Sequence, residues 1–234
     1  ACIGNYECEN NPEIAKLLFQ NAFEEITSLG VKTIIGPMNG STWDNYRFSD
    51  HNNEPNFLLE PYHHTYYNEQ FLENGFQPLS HYFSRINREI HCNDPEVVRR
   101  GNELIQLGVT IRSIDLECYE EELKRLFPFI QTAFRTNFLY SDISWESFFK
   151  KYSEAKAIID PSFVQIAEDA NRNIIGFIFA YRNLYCTSEK QLVVKTIARS
   201  IDKQWSGLGH VMADNVLSCA KERKYAAVIH AFMI

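Results

Sequence analysis

Apolar positions recur at helical spacing from residue 12 to residue 29. Ile14, Leu17, Leu18, Ala22, Ile26 and Leu29 share one face, and Pro12 suits the first turn. Gly30 supplies a stop, and the run Val31–Ile35 predicts a strand that ends at Gly36-Pro37. Residues 39–56 are rich in Asn, Ser, Asp and Gly and predict a loop. Phe57–Leu59 is a short strand candidate, Tyr66–Asn74 a short helix closed by Gly75, and Leu79–Ser84 a further strand. Asp94-Pro95-Glu96 is a helix start, with Asp as the cap, and this helix runs to about Leu107 before Gly108.

The pattern then opens anew. Val109–Ile114 predicts a strand, followed by a helix that turns Leu123, Leu126 and Ile130 inward and carries Pro128, where a kink is expected. Ser144 suits the cap of a helix holding Trp145, Phe148, Phe149 and Tyr152. Phe163–Ala167 and Ile174–Tyr181 predict a hairpin across the turn-rich Glu168–Asn173, and Leu192–Arg199 a fourth strand. Gly207–Lys224 is amphipathic, with Leu208, Val211, Met212, Val216 and Cys219 on one face, and Ala226–Ile234 is a last apolar strand.

Residues 10–38 and 204–232 share one layout of polar loop, amphipathic helix and apolar strand, offset by 204 − 10 = 194. The chain therefore reads as two units. Residues 1–93 are the C-terminal part of a first, degenerate unit and 94–108 a connecting helix. Residues 109–234 are a second unit lacking its last strands, the whole being a fragment of a two-copy parent.

Charge narrows the function classes. With 23 Lys+Arg against 30 Asp+Glu, the net charge of −7 argues against a broad phosphate-backbone interface, so no nucleic acid partner is expected. No stretch reaches the roughly 20 apolar residues of a membrane span, and Ala1–Asn10 lacks the order of a signal peptide. The cysteines (Cys2, Cys8, Cys92, Cys118, Cys186 and Cys219) are scattered without a C-x-x-C pair. They read as reduced thiols of a cytoplasmic protein, and no metal is expected.

The informative segment is Gln204-Trp205-Ser206-Gly207-Leu208-Gly209, between a predicted strand and a predicted helix. Two residues without side chains let the backbone approach a bulky ligand, and free amides at a helix start favour an anion such as phosphate. It is neither a Walker loop nor G-x-G-x-x-G, and a plain strand-to-helix turn is the bland alternative. The pattern [Gln/Arg]-x-x-Gly-x-Gly, with the element order over 109–234 and Gly176 interrupting an apolar strand, resembles the GCN5-related N-acetyltransferases. Glu73-Asn74-Gly75-Phe76 and Gly36–Trp43 with Tyr46-Arg47 extend the resemblance, more loosely, to tandem bacterial acetyltransferase-like proteins.

That resemblance implies a mixed α/β, α+β-like fold whose central, mostly antiparallel sheet splays between its fourth and fifth strands, in two copies of which one or both are incomplete. It implies acetyl-CoA as cosubstrate, its pyrophosphate held by the backbone amides of Gln204, Trp205, Ser206, Gly207, Leu208, Gly209 and His210. Backbone groups of Ile197, Ala198 and Arg199 would pair with the pantetheine arm. The implied function is acetyl transfer to an amine of an unidentified small molecule or peptide. The alternative is a catalytically silent CoA-binding or scaffold protein of the same fold. Aminoacyl transfer by a tandem fold is a third reading, but no basic surface for tRNA stands in the sequence. The oligomeric state stays open, with a homodimer among the options.

In the first unit Asn10, Glu13 and Ala15 stand where the second has Gln204, Gly207 and Gly209, so the first unit is expected not to bind CoA. His230, on the last strand near the implied acyl-transfer point, is the candidate catalytic base, against the plainer reading of a hydrogen-bonded strand histidine. His63-His64 beside Tyr66-Tyr67 lacks ligands at metal spacing. Glu117, Glu120, Glu121 and Glu122 suit a helix start. The aromatic residues of 145–152 and Cys219 read as packing.

Overall fold

The computed structural model describes residues 1–50 and 54–233. Residues 51–53 of the expected loop, and Ile234 at the end of the expected last strand, lie outside them. The chain divides into two compact units, residues 1–81 with 138–141 and residues 82–137 with 142–234.

The first unit holds α1 (Pro12–Ser28) and α2 (Tyr66–Glu73) around an aromatic core. Phe19 is 1% exposed and lies against the rings of Tyr6, Phe23, Phe71 and Phe76. The buried stripe of α1 is therefore Ala15 and Phe19, while Ile14, Leu17, Leu18 and Leu29 are exposed. Aromatic partners, not the aliphatic periodicity, select the buried face. The expected strand Val31–Ile35 is reduced to a single parallel bridge between Cys2 and Ile35, and Leu58-Leu59 is a turn. A lone three- to five-residue segment without a ladder partner gains too little to persist as a strand.

The second unit is a six-stranded sheet in the order β1-β6-β5-β4-β3-β2, formed by β1 (Phe83–Asn87), β2 (Thr110–Ser113), β3 (Val164–Glu168), β4 (Ile174–Arg182), β5 (Gln191–Arg199) and β6 (Ala227–Met233). Only β5 and β6 run parallel. α3 (Pro95–Gln106) and α6 (Leu208–Glu222) cover one face: Leu104, Leu208, Met212 and Val216 meet Ile178, Leu192, Val194 and Val228 in one cluster. α4 (Tyr119–Phe134), which runs on through Pro128, and α5 (Trp145–Ser153) bury Leu123, Leu126, Ile130 and Phe148. Gly176 lets α6 seat on the sheet, because a Cβ there would lie 2.9 Å from Leu208 Cδ2 and Met212 Sδ.

Two expectations shift. The strand placed at Leu79–Ser84 forms at Phe83–Asn87 and pairs antiparallel with β6, Arg85 opposite His230 and Asn87 opposite Val228. The connecting helix contributes Leu104, 1% exposed, to the core of the second unit. The second compact unit begins at Tyr82, and its first strand, β1, takes the outer edge of β6. That edge is filled from the N-terminal side.

The acidic start of α4 also differs from expectation. Glu122, 7% exposed, receives Arg112 Nη1 and Nη2 at 2.9 and 3.1 Å, and the same guanidinium donates to the buried Glu168 at 2.8 and 3.1 Å. Arg125 Nη2 adds a second cation on Glu168 at 2.8 Å. β2, β3 and α4 are tied by these ions rather than by the helix dipole alone. Burial raises the Glu168 carboxyl pKa, but the hydrogen bonds from Arg112 and Arg125 outweigh it and hold the group below its ordinary value.

Candidate functional site

The turn entering α6 is built by local capping. Asp202 Oδ1 accepts from Gln204 N at 3.0 Å and Oδ2 from Gln204 Nε2 at 2.8 Å, closing the 3₁₀ turn Lys203–Trp205. Trp205 drops into the core at 7% exposure, so its side chain anchors the turn and is not available to a ligand. Gly207 then adopts φ 85° and stands as the cap of α6 with no side chain to occupy the first-turn amides.

Not all of the expected amides are available. Those of Gln204, Trp205, Ser206 and His210 donate to Asp202 Oδ1, Asp202 O, Lys203 O and Gly207 O respectively. Among the described residues the amides of Gly207, Leu208 and Gly209 have no such partner. Three consecutive N–H groups at the helix start thus remain of the amides expected to meet an anion.

Arg100 on α3 shapes this cradle, and sequence reading missed it. Its Nε donates to Ser206 O at 2.8 Å and its Nη2 to Gln204 O at 2.5 Å, while Nη1 is steadied by Glu103 at 2.9 Å. The guanidinium holds the carbonyl side of the turn. A Cβ on Gly207 would lie 2.9 Å from Arg100 Cγ, and one on Gly209 3.4 Å from Ile197 Cγ2. The glycines therefore make room for neighbouring protein as well as for a ligand. Nothing in the sequence links Arg100 to a loop 106 residues on.

β5 leads from this turn to the splay. The parallel ladder ends at Val194 opposite His230; beyond it Thr196–Arg199 keep β4 on one edge, and no strand among the described residues pairs with the other. Ile197, Ala198 and Arg199 lie on that open edge, with Ile197 44% exposed. A register shift at Phe179/Ala180 falls opposite Lys195, beside the splay. On the far side β6 turns away: its pairing with β1 shifts between Phe83 and Arg85, and Phe232 takes φ 58°.

His230 stands at the mouth of the splay, between Val194 and Arg85 in register. By strand alternation it shares the α6 face with Val228. Burial, and then the nearby Arg85 guanidinium, lower its pKa below the ordinary 6.5, so the imidazole is neutral at pH 7. The structure brings His230 and Ile197–Arg199 to the two walls of one opening, with Gly207–Gly209 at the helix start that follows β5.

The first unit lacks the equivalent cradle. Pro12 has no N–H, and Asn11 Oδ1 accepts from the amides of Glu13 and Ile14 at 3.0 and 3.4 Å. A side chain already occupies the place an anion would take. His63 accepts from Ser49 N at 2.5 Å and stacks on Tyr67, and His64 stacks on Tyr66. No group of three or more potential metal ligands stands among the described residues. Trp145, Phe148 and Phe149 pack together, Phe148 also against Tyr152, and Cys219 lies against the α6 core. No described helix is long and apolar enough to cross a membrane.

No protein-family description matches the chain, and no curated protein matches it by sequence. Solved structures do. A region of a fungal multi-domain GH3 β-N-acetylglucosaminidase, described as a GCN5-related glucosamine N-acetyltransferase region, superposes with a TM-score of 0.54 at 13% identity, covering 93% of this chain and 25% of that one. A GCN5-related N-acetyltransferase from Sphaerobacter thermophilus gives a TM-score of 0.42 at 12% identity, covering 52% of this chain and 35% of that one. The chain thus spans well under two thirds of either. It has the GCN5-related N-acetyltransferase fold, a mixed α/β architecture with a mostly antiparallel sheet and flanking helices.

Proposed function

We propose that the chain is an acetyl-CoA-dependent N-acetyltransferase acting on an amine of a small molecule or peptide. The observation that carries this is the row of free amides at Gly207, Leu208 and Gly209 beside the splayed β5 and β6 in this fold. The residues fit a diphosphate. Gly207 and Gly209 bring no side chain to the turn, Arg100 occupies the carbonyl side, and the one carboxylate in the turn, Asp202, is bound to Gln204. Bound acetyl-CoA would supply an activated acyl carbon and a thiolate leaving group.

The chain's own residues do the rest. The three amides and the start of α6 hold the diphosphate, and the open edge of Ile197–Arg199 aligns the arm so that the acyl group lies at the splay. Neutral His230 accepts a proton from the bound ammonium, directly or through water; the freed amine then forms the C–N bond as the C–S bond breaks, and its second proton passes to the departing thiolate. A backbone N–H at the splay stabilises the carbonyl oxygen as it gains charge.

Two outcomes are expected from calorimetry and kinetics on the intact chain. CoA binds with a stoichiometry of one, since the Asn11-capped start of α1 offers no free amides; two sites per chain would overturn the assignment. His230→Gln lowers kcat about 100-fold. It also abolishes an acid limb of the rate profile whose midpoint lies below 6.5, where His230 protonates; a limb that survives would put the base elsewhere. Silent CoA binding is the rival reading, favoured by the Arg85 charge that weakens His230 as a base. Acetyl-CoA bound without acetyl transfer to any of a panel of amines would select it.

A further inference from the structure

A second concave site lies at the end of the sheet remote from the start of α6. Arg182 closes β4, Lys190 precedes β5, and Arg223 and Tyr225 follow α6; with Asp160 they line a cavity of about 520 Å³. Three cations face one carboxylate in a chain whose net charge is −7. That carboxylate is already engaged, since Asp160 Oδ2 pairs with Arg223 Nη1 and Oδ1 accepts from Ser162 N at 3.0 Å. Glu189, next to Lys190 in the chain, is held by Arg88 and Gln191, each at 2.8 Å.

Donors remain. Among the described residues Lys190 Nζ makes one hydrogen bond, to Arg223 O at 3.3 Å, and the Arg182 side chain makes no hydrogen bond or ion pair. Burial raises the pKa of the Tyr225 hydroxyl, with Arg182 and Arg223 pulling the other way, so at neutral pH it carries a proton to donate. The frame is fixed: Ala226 N donates to Lys190 O at 2.8 Å, and the buried Asn183 Nδ2 donates to Gln191 Oε1 at 2.8 Å. Like charges gathered in a cavity repel one another unless an anion is present, and apolar walls focus their field.

We propose that this cavity binds a small phosphate- or carboxylate-bearing molecule. Arg182 and Lys190 hold the anion, Tyr225 donates to it, and Ile158, Ile159 and Leu184 line its hydrocarbon part. The site does not depend on the acetyl-transfer reading. The test titrates inorganic phosphate, at constant ionic strength set with chloride, into the Gly207→Glu chain, where the α6 cradle is blocked. The wild-type chain saturated with CoA serves as a second, independently folded background. One phosphate site is expected in each, weakened at least tenfold by Arg182→Gln with Lys190→Gln, both of which replace exposed side chains. Absence of phosphate binding in both backgrounds, or binding unchanged by the double substitution, would overturn the proposal. Loss of CoA binding alone would leave it standing.

Discussion

Gly207→Glu is expected to weaken CoA binding at least 100-fold while the second unit stays folded. Gly207 sits at φ 85°, so any side chain there strains the turn by about 1 kcal/mol and its Cβ meets Arg100 Cγ at 2.9 Å. The Arg100 stem must shift at Cγ while its guanidinium stays bonded to Ser206 O and Gln204 O, so any side chain here carries a steric share of the loss. The carboxylate adds what alanine does not. At about 5 Å from a diphosphate, in an effective dielectric between about 20 and 80, it contributes roughly 1–3 kcal/mol of repulsion per unit charge. It also competes for the amides of Leu208 and Gly209. Gly207→Ala should therefore lose only about tenfold in affinity. Calorimetry on both variants, with circular dichroism as the folding control, decides the matter: a glutamate variant that binds CoA like wild type would mean the cradle is elsewhere.

Arg112→Met should destabilise the second unit by about 3 kcal/mol, the figure for breaking a buried ion pair reduced for the partial exposure of Arg112. The Arg112 side chain is 31% exposed, whereas the side chains of Glu122 and Glu168 are 9% and 6% exposed, so the substitution strands two carboxylates in the interior. Arg125 relieves Glu168 in part. For a unit of this size the melting temperature should fall by roughly 6–12 °C. The pH dependence has a definite sign. In the wild type Glu168 has a lowered pKa, so the unfolded chain binds more protons as pH falls below about 4.5, and stability drops through the folded value. In the variant, burial with fewer cations raises that pKa, so Glu168 can protonate and the gap to wild type narrows towards pH 4. Equal melting curves across this range would show that the network does not hold the unit together.

Much of the second unit was legible because its signals are local. The caps Asp94 and Ser144, the hairpin between β3 and β4, the stripe Leu208–Val211–Met212–Val216 and the β-rich runs each specify an element within a few residues. The glycine turn before α6 was legible for the same reason. Where a choice depended on distant partners, the sequence was silent or misleading. The exposed leucines of α1 match a helical period as well as its buried Ala15 and Phe19 do. Val31–Ile35 has strand composition but no ladder to join.

What the sequence determined by itself was most elements of the second unit and the glycine turn before α6, since dihedral preferences, caps and hydrophobic periods act over one or two turns of chain. Local capping within residues 202–210 fixes which amides of that turn are free, and tertiary structure decided what surrounds them. It alone brought Arg100 to the carbonyls of Gln204 and Ser206, and set β1 against β6 across 148 residues of chain between Ser84 and Phe232. Those pairings follow from packing a sheet edge and a helix face that no local pattern encodes.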